Sequence, residues 1–438
     1  MSGQAADPGT ISWASTGHTM PKVGIVAGVP FFAPRPAGGV GEAPNTACVD
    51  HLRIGFFTEI YRPVVNGVVA SIDGLAEGLR ARGHEVYCFA PRMPGYNDSE
   101  GPVFRMPSLP LPTPTPYRLT LPLVSRRNVN NIIKRLSLVH VHSPFVTGWM
   151  GMRYARRYGM PLVYTYHTQL EAYAHYFPFE PNATRYAASQ LTRTFANLAD
   201  AVVVPTPAMG ARLRDLGVTV RVEVVPSGID VHRFGAGHRD ERLRRRVGAK
   251  KSDRLILCVS RLAREKNLGL LFEALARAGD ASLKLAIAGD GPDRDELEEF
   301  ARACGVYDRT CFLGIVAREQ LPDLYASCDA FAMPSETETQ GLVIAEALSA
   351  GARVIAADAA QNLEVLGGAG IAIPATPEAF AAAFLAIPAV ADPIFAAHSR
   401  KAANRFAIDA QIDKMTWLYE SLIQPLSSEE RPRYLLSS

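Results

Sequence analysis

The sequence predicts an α/β protein made of two doubly wound domains, each built on a parallel sheet, facing one another across a cleft. Three observations carry that expectation. Short apolar runs alternate with stretches of helical spacing from His51 onward, the rhythm stops and restarts near residue 227, and polar or glycine-bearing loops follow many of the strands. At 438 residues and 48% hydrophobic side chains, the chain is long enough for two separate cores.

In the first half, "LRIGFF" (52–57) reads as a strand, "VVASIDGLAEGLRARG" (68–83) as a helix ending at Gly83, and "HEVYCFAP" (84–91) as the next strand. That is a βαβ unit, which implies a parallel sheet. Further strands are expected at 138–144, 161–168, 199–206 and 222–230. The second half repeats the pattern at 253–261, 283–291, 309–316, 328–335 and 352–358. The expected domains are therefore 51–226 and 227–410, with 411–438 a helix and tail packing back on the first domain. Ligands of open α/β sheets lie at the carboxyl ends of the strands, so the cleft is the place to look.

Residues 1–50, rich in Gly, Pro and Ala, are expected to form a disordered extension, with Met20 a candidate start. Residues 92–122 hold eight prolines and are expected to be an extended, irregular excursion. The longest apolar run, 23–33, is too short to span a bilayer and is broken by Pro30. The first residues lack the basic start and cleavage site of a secretory signal, so a cytoplasmic location is expected. Six cysteines at 48, 88, 258, 304, 311 and 328 show no metal or redox spacing and read as free thiols. The net charge is only +3, but residues 51–226 carry nineteen Lys and Arg against eleven Asp and Glu. Such a surface suits anionic lipid, phosphates or nucleic acid.

The segment "SETETQGLVIAEAL" (335–348) carries the chemistry. A strand ends near Pro334, a polar loop holds Glu338, and a helix begins around Gly341. The backbone N–H groups of Thr339, Gln340, Gly341 and Leu342 would stand at a helix N-terminus, where unsatisfied donors and the dipole favour phosphate. Glu346, set among Ile344, Ala345, Ala347 and Leu348, would face the cleft and accept two hydroxyl hydrogen bonds from a ribose diol. In "SRLAREKN" (260–267), Arg261 offers a planar fork and Lys266 a point charge, both suited to a diphosphate. Asn66 and Gly67 make a turn that opens the first helix, and glycine there lets the backbone approach a phosphate or sugar. His167 ends another strand and can hydrogen-bond a substrate hydroxyl, take a proton, or simply fill the core.

Together these motifs resemble the retaining glycosyltransferases of family 4, over roughly residues 51–425, with the branch that glucosylates diacylglycerol nearest in character. The resemblance implies the two-domain GT-B fold, an acceptor-binding first domain and a nucleotide-sugar-binding second domain joined at "PSGID". It implies that Glu338 contacts the sugar, Glu346 the ribose, and Arg261 with Lys266 the diphosphate. Gly67 and the 339–342 backbone would also meet the donor, His167 would lie beside the reacting sugar, and the base would meet backbone near Val316. Glu338 and His167 are the candidate catalytic residues, no metal or cofactor is expected, and the leaving phosphate would help deprotonate the acceptor. Relatives often carry a glycine-rich loop where this chain reads "ADAAQNLEVLGGAG", and glycine where it has Ser260.

The expected reaction moves hexose from UDP-glucose to a lipid such as diacylglycerol. A soluble glycan or small-molecule acceptor, a sugar-nucleotide epimerase on the same fold, and a non-catalytic binding protein are the alternatives. Nucleic acid is not an expected partner. "RRNVNNIIKRL" (126–136) sets Val129, Ile132, Ile133 and Leu136 on one helical face beside Arg126, Arg127, Lys134 and Arg135. It reads as an interfacial helix on anionic membrane at the inner leaflet, or as the surface helix of a βαβ unit.

Overall fold

A computed structural model describes residues 51–98, 101–110, 118–122, 127–176, 180–388 and 392–423. The expected extension with Met20, Cys48, Arg126 and the tail beyond Ile423 lie outside the described residues.

Seven parallel strands form the first sheet, in the order β3-β2-β1-β6-β7-β8-β9. They are β1 (Arg53–Phe57), β2 (Glu85–Pro91), β3 (Val103–Met106), β6 (Leu138–Val141), β7 (Leu162–Thr165), β8 (Ala201–Val204) and β9 (Arg221–Val224), while β4 (Ser108–Pro110) and β5 (Arg118–Thr120) make a separate antiparallel pair. Helices α1 (Gly67–Ala81), α2 (Arg127–Ile133), α3 (Val146–Tyr158), α4 (Pro181–Ala196) and α5 (Pro207–Asp215) connect them. The α1 helix forms because Asn66 caps it, its side chain accepting the Val69 N–H at 2.9 Å, and because Val69, Ile72, Leu75, Ala76 and Leu79 fall on one buried face.

The second half starts with α6 (Val231–Gly235) and α7 (Glu241–Arg246). Its six-stranded sheet comprises β10 (Arg254–Val259), β11 (Leu283–Ala288), β12 (Thr310–Gly314), β13 (Ala330–Met333), β14 (Val354–Ala357) and β15 (Ile371–Ile373). Their order, β12-β11-β10-β13-β14-β15, is that of a dinucleotide-binding fold. Around it pack α8 (Gly269–Ala278), α9 (Arg294–Ala303), α10 (Leu321–Ser327), α11 (Leu342–Ser349), α12 (Ala360–Leu366), α13 (Pro377–Leu385) and α14 (Pro393–Ala403). The last helix, α15 (Ile408–Ile423), crosses back to α1. A Cβ on Gly78 would lie 2.0 Å from Ile412, so the two helices meet backbone to side chain, and Arg82 pairs with Asp413.

Two features depart from expectation. The proline-rich stretch is not irregular throughout: it contributes β3 to the sheet edge and the β4–β5 pair, because edge and two-stranded positions tolerate residues without an N–H. The 358–370 segment is not a bare loop, since it holds α12. Cys88, Cys258 and Cys328 are buried free thiols, with Cys304 and Cys311 partly buried.

Helix α2 also differs from an interfacial helix. Ile133 and Leu136 are buried in the core of the first half, and Val129 and Ile132 pack against it, so the apolar face is used internally. Lys134 and Arg135 remain exposed, whereas the Arg127 side chain lies outside the described residues.

Candidate active site

In both sheets the strand order reverses beside the first strand, between β1 and β6 and between β10 and β13. Crevices open at such switch points, beyond the carboxyl ends of the strands. Gly67 opens α1 after β1, and Leu342 opens α11 after β13. A Cβ on Gly67 would lie 3.7 Å from the Leu342 side chain, so these two helix N-termini face each other across the cleft. Gly341 takes φ +74°, which side chains other than glycine adopt only with strain. The N–H groups of Thr339, Gln340, Gly341 and Leu342 meet no acceptor among the described residues. That row of donors, with the positive end of the α11 dipole, suits an anion.

The charged groups arrive from the loops after β10 and β13. Lys266 Nζ sits 2.5 Å from Glu338 Oε1, and Arg261 pairs with buried Glu265. Burial pushes the Glu338 carboxyl upward, but the charge and hydrogen bond of Lys266, with smaller help from Ser335 and Arg261, together hold the group below the usual range. Burial likewise pulls the Lys266 ammonium down, and Glu338 raises it beyond its ordinary value. Each cation is therefore already paired with a carboxylate, Lys266 with Glu338 and Arg261 with Glu265. A diphosphate entering here would partition these cations with Glu338 and Glu265, and would draw its remaining neutralisation from backbone N–H groups.

Glu346, 8% exposed, points one carboxylate oxygen at Tyr325, whose hydroxyl donates to Oε2 at 2.8 Å. The sequence suggested that the carboxylate would accept two hydroxyls from a diol. Tyr325 takes one acceptor position of Oε2, while Oε1 meets no partner among the described residues. Burial raises the Glu346 pKa to about 7, with Tyr325, Arg318 and Arg233 pulling the other way.

Gln340 serves the joint with its side chain. Its amide accepts the Ser227 N–H at 2.8 Å and donates to the Ser227 carbonyl at 2.9 Å, locking the loop to the interdomain segment. Thr339 donates to the His167 carbonyl at 2.9 Å, and Thr206 donates to the Thr339 carbonyl at 3.1 Å. Gln169 donates to the carbonyls of Thr337 and Glu338, so three residues of the first half hold the Glu338 loop. Val316, beyond β12, is partly buried against the second core.

Several residues at the site escaped sequence reasoning. Asn362 donates to the carbonyls of Ser335 at 3.0 Å and Ala357 at 2.9 Å, and Gln361 donates to the Glu336 carbonyl at 2.7 Å. These side-chain amides fasten the start of the Glu338 loop in the segment where a glycine-rich loop was missing. Gly289, at φ +137°, lies so close to the loop after β10 that a Cβ would stand 1.9 Å from the Ser260 carbonyl oxygen. The "GDG" after a strand was a legible signal for it. His142 bonds His167, Nδ1 to Nε2 at 3.0 Å, and the alternation in "VHVH" places His140 and His142 on one face of β6. Among the described residues no group of three or more His, Cys, Asp and Glu side chains is placed to hold a metal ion.

Two Rossmann-like parallel sheets with paired switch points define the fold class as GT-B. The crystal structure of Anabaena Alr3699/HepE in complex with UDP-glucose shares the fold, with a TM-score of 0.67 over 85% of this chain and 100% of that one, at 20% identity. The chain belongs to glycosyltransferase family 4: the Glycosyltransferase Family 4 domain matches residues 65–233, and the Glycosyl transferases group 1 domain matches residues 239–404. It is 32% identical over 320 residues to the alpha-monoglucosyldiacylglycerol synthase of Acholeplasma laidlawii, spanning 69% of this chain and 80% of that protein. It is 34% identical over 319 residues to the GDP-mannose-dependent alpha-mannosyltransferase of Mycobacterium tuberculosis, spanning 70% and 79%.

Proposed function

We propose that the protein transfers glucose from UDP-glucose, with retention of configuration, to a lipid acceptor such as diacylglycerol. The observation that carries the donor half is the meeting of the Gly67 and Leu342 helix N-termini beside the Lys266–Glu338 and Arg261–Glu265 pairs. In this reading the unpaired N–H groups of residues 339–342 take the diphosphate together with Arg261 and Lys266. Glu338 meets the sugar hydroxyls, and Glu346 Oε1 accepts one ribose hydroxyl. The base lies near Val316, and His167 stands beside the sugar. The 51–226 half receives the acceptor and the 227–410 half the donor.

Charge on the departing phosphate grows toward the transition state, so cations and N–H dipoles aimed at it lower the barrier. The same phosphate takes the acceptor proton on the face where the new bond forms. Glu338, tied to Lys266, then acts by orienting the sugar.

Resemblance to the glucosyldiacylglycerol synthase supports the lipid acceptor, as do the exposed Lys134 and Arg135 on the basic first half. No helix of the described residues is long and apolar enough to cross a membrane, which fits peripheral attachment at the inner leaflet. Similarity to the mannosyltransferase supports a second reading, in which GDP-mannose is the donor.

The test supplies radiolabelled UDP-glucose or GDP-mannose with diacylglycerol in anionic vesicles, or with water-soluble glycans. Lipid-extractable label from UDP-glucose alone is the expected result. Label only from GDP-mannose would replace the donor, label only in the soluble glycan would replace the acceptor, and isomerisation of donor alone would point to an epimerase.

A further inference from the structure

His167 hydrogen-bonds through Nε2 to His142, which leaves its Nδ1 for any other partner. That atom meets no partner among the described residues and is not sealed from solvent. The arrangement follows from the paired strands: His140 lies in β6 with His142 just past its end, Thr165 ends β7 with His167 two residues beyond it, and the strands run parallel with His140 opposite Val163. Behind His142, the ring of His140 lies at 4.1 Å between centroids, tilted by 38°. His140 is held by Thr165 at 2.6 Å and by the Tyr419 hydroxyl of α15 at 2.7 Å.

The proton count decides what His167 can offer. Burial lowers the pKa of all three imidazoles, so each ring is neutral at neutral pH and carries one N–H. Exactly one proton therefore lies between His142 Nδ1 and His167 Nε2. If His167 supplied it, His142 would bear its own proton on Nε2, and that atom is sealed without a partner. If His142 supplies it, the sealed atom is a bare lone pair. Orphaned buried N–H groups are rarer than underused acceptors, so the second arrangement is favoured.

We infer that His142 is a positioning residue that holds His167 as its Nδ1–H tautomer, so that His167 meets the donor sugar by giving a hydrogen bond and not by taking a proton. The sugar contact rests on the function proposed above; the tautomer does not. Phe56, edge-on to His142 at 4.7 Å, together with the His140 ring, keeps His142 from turning its other edge to His167.

The experiment labels histidine with ¹⁵N in the full chain and reads each ring's tautomer by long-range ¹H–¹⁵N correlation at neutral pH, with His167 assigned from His167→Gln. The expected result is an Nδ1–H His167 whose signal shifts when UDP-glucose is added. His142→Phe should release His167 toward the Nε2–H form and lower kcat roughly tenfold, the worth of one hydrogen bond, with little change in KM. His142→Asn, whose amide can donate from the same edge, should restore both. An Nε2–H His167 in the unaltered protein overturns the inference even if His142→Phe does not fold, as does an unchanged tautomer in a folded His142→Phe. An Nδ1–H His167 that ignores UDP-glucose supports the tautomer and overturns only the sugar contact.

Discussion

Lys266 Nζ lies 2.5 Å from Glu338 Oε1, joining the loop after β10 to the loop after β13 across the switch point of the second sheet. Both side chains are mostly buried, at 16% and 14% exposure, so neither charge is well solvated alone. The pair sets the geometry of the site before any donor arrives.

Separating the partners gives opposite results. Lys266→Ala strands a buried carboxylate and should cost about 3 kcal/mol of stability, read by urea unfolding. It should also weaken UDP binding. Glu338→Gln frees the ammonium for phosphate, so UDP should bind at least as tightly as before, while transfer collapses. Calorimetry and turnover on the two variants check this, and a tenfold loss of UDP affinity in Glu338→Gln would sink the assignment of Lys266 to the diphosphate.

Glu346 should make both stability and donor binding depend on pH. Its folded pKa, raised to about 7, lies above the ordinary 4.5, so between these values the native state holds more protons than the unfolded state. Stability must then fall as pH rises through that window, by roughly 3 kcal/mol in full. Glu346→Gln keeps an acceptor for Tyr325 and removes the titration, so its unfolding free energy should stay level between pH 5 and 8, apart from other groups. If Oε1 accepts a ribose hydroxyl, UDP-glucose binding near pH 6.5 should release a proton from the native enzyme and none from the variant. Calorimetry in buffers of different ionisation enthalpy reads this directly.

Much of this organisation was legible because it is local. Alternation of apolar runs located the strands of both large sheets apart from β3 and β15, though not the separate β4–β5 pair, and Asn66 marked the start of α1. What escaped depends on partners far apart in sequence. Proline content hid β3, whose pairing with β2 is a property of the sheet edge. Its setting among apolar helix residues drew attention to Glu346, but nothing near it names Tyr325, 21 residues upstream, as the group that bonds one oxygen. Helical spacing in 126–136 was legible as an apolar face, and only the packed core shows that the face points inward.

Asn362 and Gln361 should control the Glu338 loop without touching the donor. Asn362 is fully buried, and Asn362→Ala leaves the Ser335 and Ala357 carbonyls short of a donor, a cost of about 1–3 kcal/mol. Gln361→Ala removes one bond to the Glu336 carbonyl and should cost less. Hydrogen exchange at Thr337, whose N–H meets Ser335 Oγ at 3.4 Å, should speed up in both variants, with donor affinity falling in the same order. Unchanged exchange would show that the loop is held by Gln169, Thr206 and Gln340 alone.

Attachment to membrane, if it uses the first half, should be electrostatic and shallow. Ile133 and Leu136 are committed to the core, so α2 has no apolar face to insert, while Lys134 and Arg135 are exposed. A basic residue near an anionic surface contributes about 1 kcal/mol at physiological salt, so Lys134→Gln with Arg135→Gln should weaken vesicle binding by roughly tenfold or more. The proposed donor site lies away from these residues, so affinity for UDP should be kept. Sedimentation with vesicles of rising anionic content, at low and high salt, separates the cases. Binding that falls with salt and with the substitutions supports this face. Binding indifferent to salt, lipid charge and both substitutions excludes the basic stretch after α2 as the docking element and requires an apolar contact elsewhere on the chain.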